Sequence, residues 1–420
     1  MAAPIEARVN APSLQDAQTS PYRWVMLAMI CVVYASFGMV QTSIAPLITP
    51  ILHDTGMTRG QMGIALGSWQ FVYLFVAIPA GAIIDRWGLR RAIFFGIAFV
   101  ALSQVLRASA VNQVTMLGAV MVFGLGGPFI SIGAPKLTAT WFSDKEVGLA
   151  LGVYTVSQSI GSLIATSSAN AIVMPATGDS WRATLLVFAA IAGLGAIAWV
   201  TLAREPRGAD AKRAMSPRAM IDSFRQLLRV PLVQIVLVMA VGVFVYNHSF
   251  TNWLPEMLRS HGMTPSEAGF WASLPTLVAI PVAIIVPRFT TARWLTPVLL
   301  LVFALWVAAA LALNTASSGT TYWLVMIALG VGRGAATPLL MLTLVRSKSV
   351  GSTLMGAAGG LFFTAGEVGG VLGPTLTGTL ADATGGFGTG LLALAGAAAA
   401  LAALTLVLRA VMRPVEASGV

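Results

Sequence analysis

Two ionisable residues interrupt long apolar runs. Arg333 stands in "ALGVGRGAATPLLML" and Glu367 in "LFFTAGEVGGVLG". A guanidinium offers five N–H donors in a rigid fork that matches carboxylates and other oxyanions, which makes Arg333 a candidate substrate-binding residue for an anion. A carboxylate can take up and release a proton, which makes Glu367 a candidate proton-coupling residue. Two other readings of Glu367 stay open: a structural ion pair with Arg333, or direct binding of a cation. An anion arriving at Arg333 would loosen such a pair and let Glu367 take a proton, linking the two movements. Tyr34, Gly38 and Gln41 follow the spacing i, i+4, i+7, as do Tyr154, Gln158 and Gly161; each set falls on one helical face. Tyr246 and Asn247 join them. These phenols and amides are candidate substrate-binding residues, against the alternative of ordinary interhelical hydrogen bonds. His248 reads as a hydrogen-bonded histidine. Lys136 reads as a side chain reaching toward a helix end, and Arg107 as an interface anchor. No phosphate loop with its lysine, no zinc-ligand spacing and no Ser/His/Asp set is present. No catalytic residue, metal or cofactor is expected, and the chain does not read as an enzyme.

The surroundings of these residues follow from composition. Of 420 residues, 57% are hydrophobic and 10% charged, and the mean hydropathy is +0.83. A soluble domain carries about 25% charged residues. Crossing a bilayer takes roughly 20 apolar helical residues, and such runs recur over 24–48, 61–84, 91–108, 114–138, 147–171, 182–203, 230–255, 267–287, 295–314, 321–345, 351–376 and 388–410. A membrane barrel would show short alternating segments instead. The expectation is an all-α membrane protein with twelve transmembrane helices in two six-helix, pseudo-symmetric bundles. Arg333 then lies twelve residues from either end of its span, near the midplane, where a charge costs about 2.5–3.5 kcal/mol on the insertion scale. It must face a partner or a wet cavity.

The net charge of +10 reads as topology rather than nucleic-acid binding. With the N-terminus cytoplasmic, every Lys and Arg except Arg59, Arg107, Arg182, Arg259 and Arg333 falls in tails, inner loops or inner helix ends, the bias that sets orientation. No cleavable signal is expected. The lone Cys31 makes no intramolecular disulfide. Trp24, Trp141, Trp181 and Trp323 are placed as an interfacial belt, while Trp69 and Trp253 could shape a cavity.

The charged stretch 204–229 divides the chain. The expected layout is a cytoplasmic tail (1–22), an N-terminal bundle (23–203), a central loop (204–229), a C-terminal bundle (230–412) and a tail (413–420). "GMTRGQMG" recurs as "GMTPSEAG" 206 positions later. Both fit a capping box, Thr58 with Gln61 and Thr264 with Glu267. The same offset carries Gly124 and Gly126 onto Gly330 and Gly332, and Gln41 onto Asn247. Parallel six-span repeats are a transporter architecture with a midplane site.

"GAIIDRWGLRRA", with Gly81, Asp85, Arg86, Gly88, Arg90 and Arg91, resembles the signature loop of the major facilitator superfamily. The resemblance covers residues 23–412. It implies the major facilitator fold, a conformational latch at those six residues, and a cavity lined by helices 4 and 10. The corresponding "VPRFTTARW" has lost the acid and a glycine. "APKLTATWFSDKEVGLALG", "TNWLPEML" and "GPTLTGTLADATG" are similar to the cyanate and nitrate/nitrite porter branches and, more loosely, to small-metabolite porters. Nitrate porters carry arginines in helices 2 and 8 and a glycine–asparagine motif in helix 5. All three are missing here, which disfavours nitrate. The resemblance implies a secondary transporter of the inner membrane with cytoplasmic termini, acting as a monomer by alternating access. The residues imply uptake of a small anion with protons as partners. The rival readings are export of hydrophobic or cationic compounds and a transporter-like sensor.

Overall fold

Backbone in hydrocarbon must close its hydrogen bonds internally, and the apolar runs do so as helices. The computed structural model describes residues 14–206, 217–316, 319–347 and 349–417, and no strand occurs among them. The long helices are α1 (Tyr22–Thr42), α2 (Arg59–Trp87), α3 (Leu89–Ala108), α4 (Gln113–Trp141), α5 (Val147–Ser168), α6 (Trp181–Leu202), α7 (Pro231–Ser260), α8 (Pro265–Phe289), α9 (Ala292–Asn314), α10 (Gly319–Arg346), α11 (Gly351–Thr384) and α12 (Gly388–Ala417). Eleven helices among the described residues are long and apolar enough to cross a membrane; α2 adds a twelfth if its pieces Arg59–Ala77 and Pro79–Trp87 form one crossing.

The ends follow local chemistry. Thr58 and Gln61 exchange backbone-to-side-chain hydrogen bonds at 3.0 and 3.2 Å, and Thr264 and Glu267 do the same, so both expected capping boxes form. α11 runs past the expected end at 376 because its last turns stay helical until Gly385, whose φ of +74° closes the helix in a left-handed cap. Helix also occupies stretches expected to be loop or tail: Leu14–Thr19, Ile48–Thr55 after α1, Met174–Ala176 after α5, Pro217–Leu227 in the central loop, and the end of α12 to Ala417. Residues 1–13, 207–216 and 418–420 of those expected segments lie outside the described residues.

The chain forms two compact units, 1–47 with 71–214, and 48–70 with 215–420. In the first, α1 packs on α5 and α6, and α3 on α4 and α6. In the second the pattern recurs six helices later: α7 packs on α11 and α12, and α9 on α10 and α12. The 206-residue repeat is thus a repeat of packing partners. The boundary differs from the expected one at residues 48–70, which belong with the second unit. There the start of α2 meets α11 at backbone distance: a Cβ at Gly63 would stand 2.3 Å from the Pro374 carbonyl oxygen. Asp382 also accepts the Arg59 and Gly60 N–H groups at 3.0 and 2.7 Å.

Candidate functional site

In the second unit α7, α8, α9 and α10 surround a cavity lined by Tyr246, Asn247, Phe250, Trp306, Leu329 and Arg333, among others. Its free space is about 20 Å³, room for about one water molecule. The aromatic wall is tightly seated. The Tyr246 and Trp306 rings stack with centroids 4.0 Å apart, and the Tyr246 hydroxyl donates to the Trp306 carbonyl at 2.6 Å. Trp306 is fully buried against Gly332, where a Cβ would stand 1.8 Å from its indole nitrogen. Only a glycine lets the two approach so closely. The indole N–H has no hydrogen-bond partner.

Arg333 is partly buried. One guanidinium N–H donates to Thr251 Oγ1 at 3.0 Å, and among the described residues no carboxylate pairs with it. The Asn247 side chain makes no hydrogen bond among the described residues and is also partly buried. The cavity therefore holds a cation and an amide whose capacity is mostly unspent, while the indole N–H is buried against Gly332.

Glu367 lies elsewhere in the same unit. It is 9% exposed, and its Oε2 is buried with no hydrogen-bond partner. The ion pair with Arg333, left open by the sequence, does not form. The two helices are consecutive, but α11 packs chiefly on α7 while α10 packs on α8 and α9, so the two side chains leave on different faces. Gln70 stands near Glu367 instead, and His248 meets Gln70. A Cβ at Gly370 would be 3.0 Å from Glu367 Oε2 and 3.2 Å from Gln70 Nε2. Gln70, fully buried, meets His248 Nδ1 at 3.2 Å, and its Oε1 lacks a partner. The His248 ring packs near Trp69 and Phe244 and lies within electrostatic reach of Arg333. The sequence reading passed over Gln70, although the criterion applied to Gln41 and Gln158, an amide inside a span, fits it equally. Nothing in the apolar run of α9 marks Trp306.

The remaining candidates gather in the first unit. Tyr34 and Tyr154 are in ring contact at 4.6 Å, and Gln158 Nε2 donates to Gln41 Oε1 at 3.1 Å. α1 and α5 touch backbone to backbone: a Cβ at Gly161 would stand 1.8 Å from Ala35 O, and one at Gly38 2.0 Å from Gln158 O. The two expected helical faces do meet, and the amides spend part of their capacity on each other.

The signature loop is also in this unit. Asp85 pairs with Lys136 Nζ at 2.5 Å, so Lys136 is a partner of the loop rather than a free end. Gly88 has φ +83°, a conformation that favours glycine. Gly81 sits within α2 with open space beside it, so no tight approach demands a glycine there. Arg90 donates to the Val200 carbonyl, and Arg86 and Arg91 are exposed. Glu205, read only as part of the charged loop, accepts the Leu89 N–H at 2.7 Å and caps α3.

Three further readings are corrected. Arg107 is no interface anchor: it is 2% exposed, donates to the Val40 carbonyl at 2.7 Å and lies over the Phe123 ring. Trp141 and Trp181 are buried rather than belt residues, while Trp24 and Trp323 are exposed. Trp253 is fully buried, its indole bonded to the Pro374 carbonyl.

The sequence profile of the Major Facilitator Superfamily matches residues 30–374. The chain belongs to the Major Facilitator Superfamily. It is 23% identical over 380 residues to the 2-nitroimidazole transporter of Escherichia coli K12, covering 89% of this chain and 92% of that one. It is 24% identical over 377 residues to a hexuronate transporter of Bacillus subtilis, covering 85% and 87%. Among solved structures, a bacterial homologue of the human lysosomal transporter Spinster, inward-facing and unoccupied, superposes with a TM-score of 0.71 at 19% identity, covering 93% and 96%. The protein is a multi-pass membrane transporter of small metabolites, with the major facilitator fold and no enzyme chemistry.

Proposed function

We propose that this major facilitator transporter takes up a small anion together with protons, with Arg333 as the anion anchor and Glu367 as the coupling carboxylate. The observation that carries the reading is the unpaired, partly buried Arg333 in an aromatic-walled cavity. A permanent cation near mid-span needs a counter-charge or a wet cavity, and a substrate anion supplies the counter-charge. Glu367 supports coupling because its buried oxygen has no protein partner and so has a place for a proton. Gln70 and His248 hold the neighbourhood in place. Tyr34, Gln41, Tyr154 and Gln158 are proposed as further substrate contacts, and the loop around Asp85 and Gly88 as the latch. The distribution of Lys and Arg supports cytoplasmic termini in an inner membrane, and the protomer works as a monomer.

The reading is tested in proteoliposomes by following anion uptake and internal acidification together. Arg333→Ala should abolish uptake. Glu367→Gln should leave anion binding in place and remove the dependence of uptake on an imposed pH gradient. Uptake by Arg333→Ala at the wild-type rate, or an unchanged pH-gradient dependence in Glu367→Gln, would reject the respective role. Binding of a quaternary amine that disappears in Glu367→Gln would favour a cation site instead.

A further inference from the structure

The central loop carries a helix that lines no part of the Arg333 cavity. Residues 204–229 contain seven Lys and Arg against three Asp and Glu, and the helix Pro217–Leu227 occupies the last part of that stretch. Its residues sort by helical spacing. Met220, Phe224 and Leu227 share a face at i, i+4 and i+7, with Ile221 and Leu228 beside them, while Asp222, Arg225, Gln226 and Arg229 fall opposite. The fold covers only one edge of the apolar face. The helix packs on α11 and Leu227 is fully buried, yet Ile221 and Leu228 are 48% and 45% exposed. Arg225 and Arg229 are exposed as well. Arg225 reaches Asp222 only at 3.9 Å, with both side chains 74% exposed, a pair that contributes little. Among the described residues no carboxylate pairs with Arg229. Orientation bias accounts for arginines in such a loop, but it does not call for an apolar edge beside them.

The helix cannot stand off from the bilayer. Only residues 228–230 separate it from Pro231, where the membrane-spanning α7 begins. The Gln234 side chain of α7 donates to the Leu228 carbonyl at 2.7 Å and fixes that turn. An apolar edge with arginines alongside, held at this level, fits the boundary between lipid headgroups and acyl chains. We infer that the helix lies on the bilayer surface, with Ile221 and Leu228 among the acyl chains and Arg225 and Arg229 on the phosphates of anionic phospholipids. A guanidinium fork matches a pair of phosphate oxygens. Each arginine near an anionic leaflet contributes about fivefold in preference (about 1 kcal/mol). This contact is independent of the roles proposed for Arg333 and Glu367.

Cys31 is the only cysteine, so Cys31→Ala gives a background in which one position at a time can carry a fluorescent NBD label. Ile221→Cys and Asp222→Cys, each in the full chain, are labelled and reconstituted into vesicles of phosphatidylcholine and phosphatidylglycerol in equal parts. The label at 221 should emit as in an apolar medium, and lipid with doxyl-labelled acyl chains should quench it about twofold or more beyond the label at 222. Doxyl phosphatidylglycerol should be favoured over doxyl phosphatidylcholine at 221 by about fivefold or more, and Arg225→Gln with Arg229→Gln should remove that preference. Equal, water-like emission from 221 and 222 would overturn the membrane contact. Quenching at 221 that does not distinguish the two lipids, or a preference that survives the loss of both arginines, would overturn the anionic headgroup as the partner.

Discussion

Replacing Gly332 by alanine strikes the cavity wall without touching a polar group. The new methyl carbon would stand 1.8 Å from the Trp306 indole nitrogen. Non-bonded carbon contacts settle at about 3.5–4.0 Å, so the indole must retreat by roughly 2 Å. Trp306 has no room to do so alone, being fully buried, stacked on Tyr246 at 4.0 Å and bonded to it through its carbonyl. Overpacking of this kind costs about 1–3 kcal/mol. Losing the ring stacking adds about 0.5–1.5 kcal/mol, and straining the Tyr246 hydrogen bond about 1 kcal/mol. A net destabilisation of about 3 kcal/mol is expected, together with loss of ligand protection. The control is Gly193→Ala in α6, where a Cβ meets open space and alanine favours the helix by up to about 1 kcal/mol. Thermal unfolding of both purified variants, with and without acetate as a small anion, is the assay. Gly332→Ala melting at the wild-type temperature and still protected by ligand would refute the seating of Trp306 on α10.

Gly161→Ala should be at least as damaging in the first unit, because its Cβ would meet the Ala35 backbone oxygen at 1.8 Å and backbone cannot swing aside; Gly152→Ala, with nothing within 4 Å, should be nearly silent in the same unfolding assay. Arg107→Met should destabilise the protein in detergent by about 1 kcal/mol, by removing one of the two side-chain donors to the buried Val40 carbonyl, the Ser43 hydroxyl being the other. Unchanged unfolding of Arg107→Met would mean that the side chain serves the lipid boundary after all.

The spans were legible because length and hydropathy set them, and the structure places their ends within a few residues except where polar turns extend α7, α11 and α12 and where α1 stops at Thr42, short of the expected 48. The capping boxes were legible because their chemistry is local. The repeat offset anticipated the recurrence of helix pairs. What the sequence hid was which face meets which helix. Arg333 and Glu367 sit on consecutive helices yet do not pair, since α10 and α11 choose different neighbours. Gln70 and His248 come together from α2 and α7, 178 positions apart, with no signal in either run. Arg107 and Trp141 looked like boundary residues by position and are buried by packing. Asp85 found Lys136 rather than one of the nearby arginines. A periodic apolar run constrains length far more than it constrains rotation about the helix axis, and pairing depends on rotation.

The most direct test of the anchor keeps the charge and removes the fork. Lysine at 333 retains a cation but loses the planar pair of donors that binds two oxygens at once. Acetate binding to purified Arg333→Lys and to the wild type is compared by equilibrium titration, with the unfolding temperature of each checked alone. The account predicts at least tenfold weaker binding by a variant that remains folded. Equal affinity in Arg333→Lys would contradict it, because the forked contact between Arg333 and the substrate oxygens would then contribute nothing.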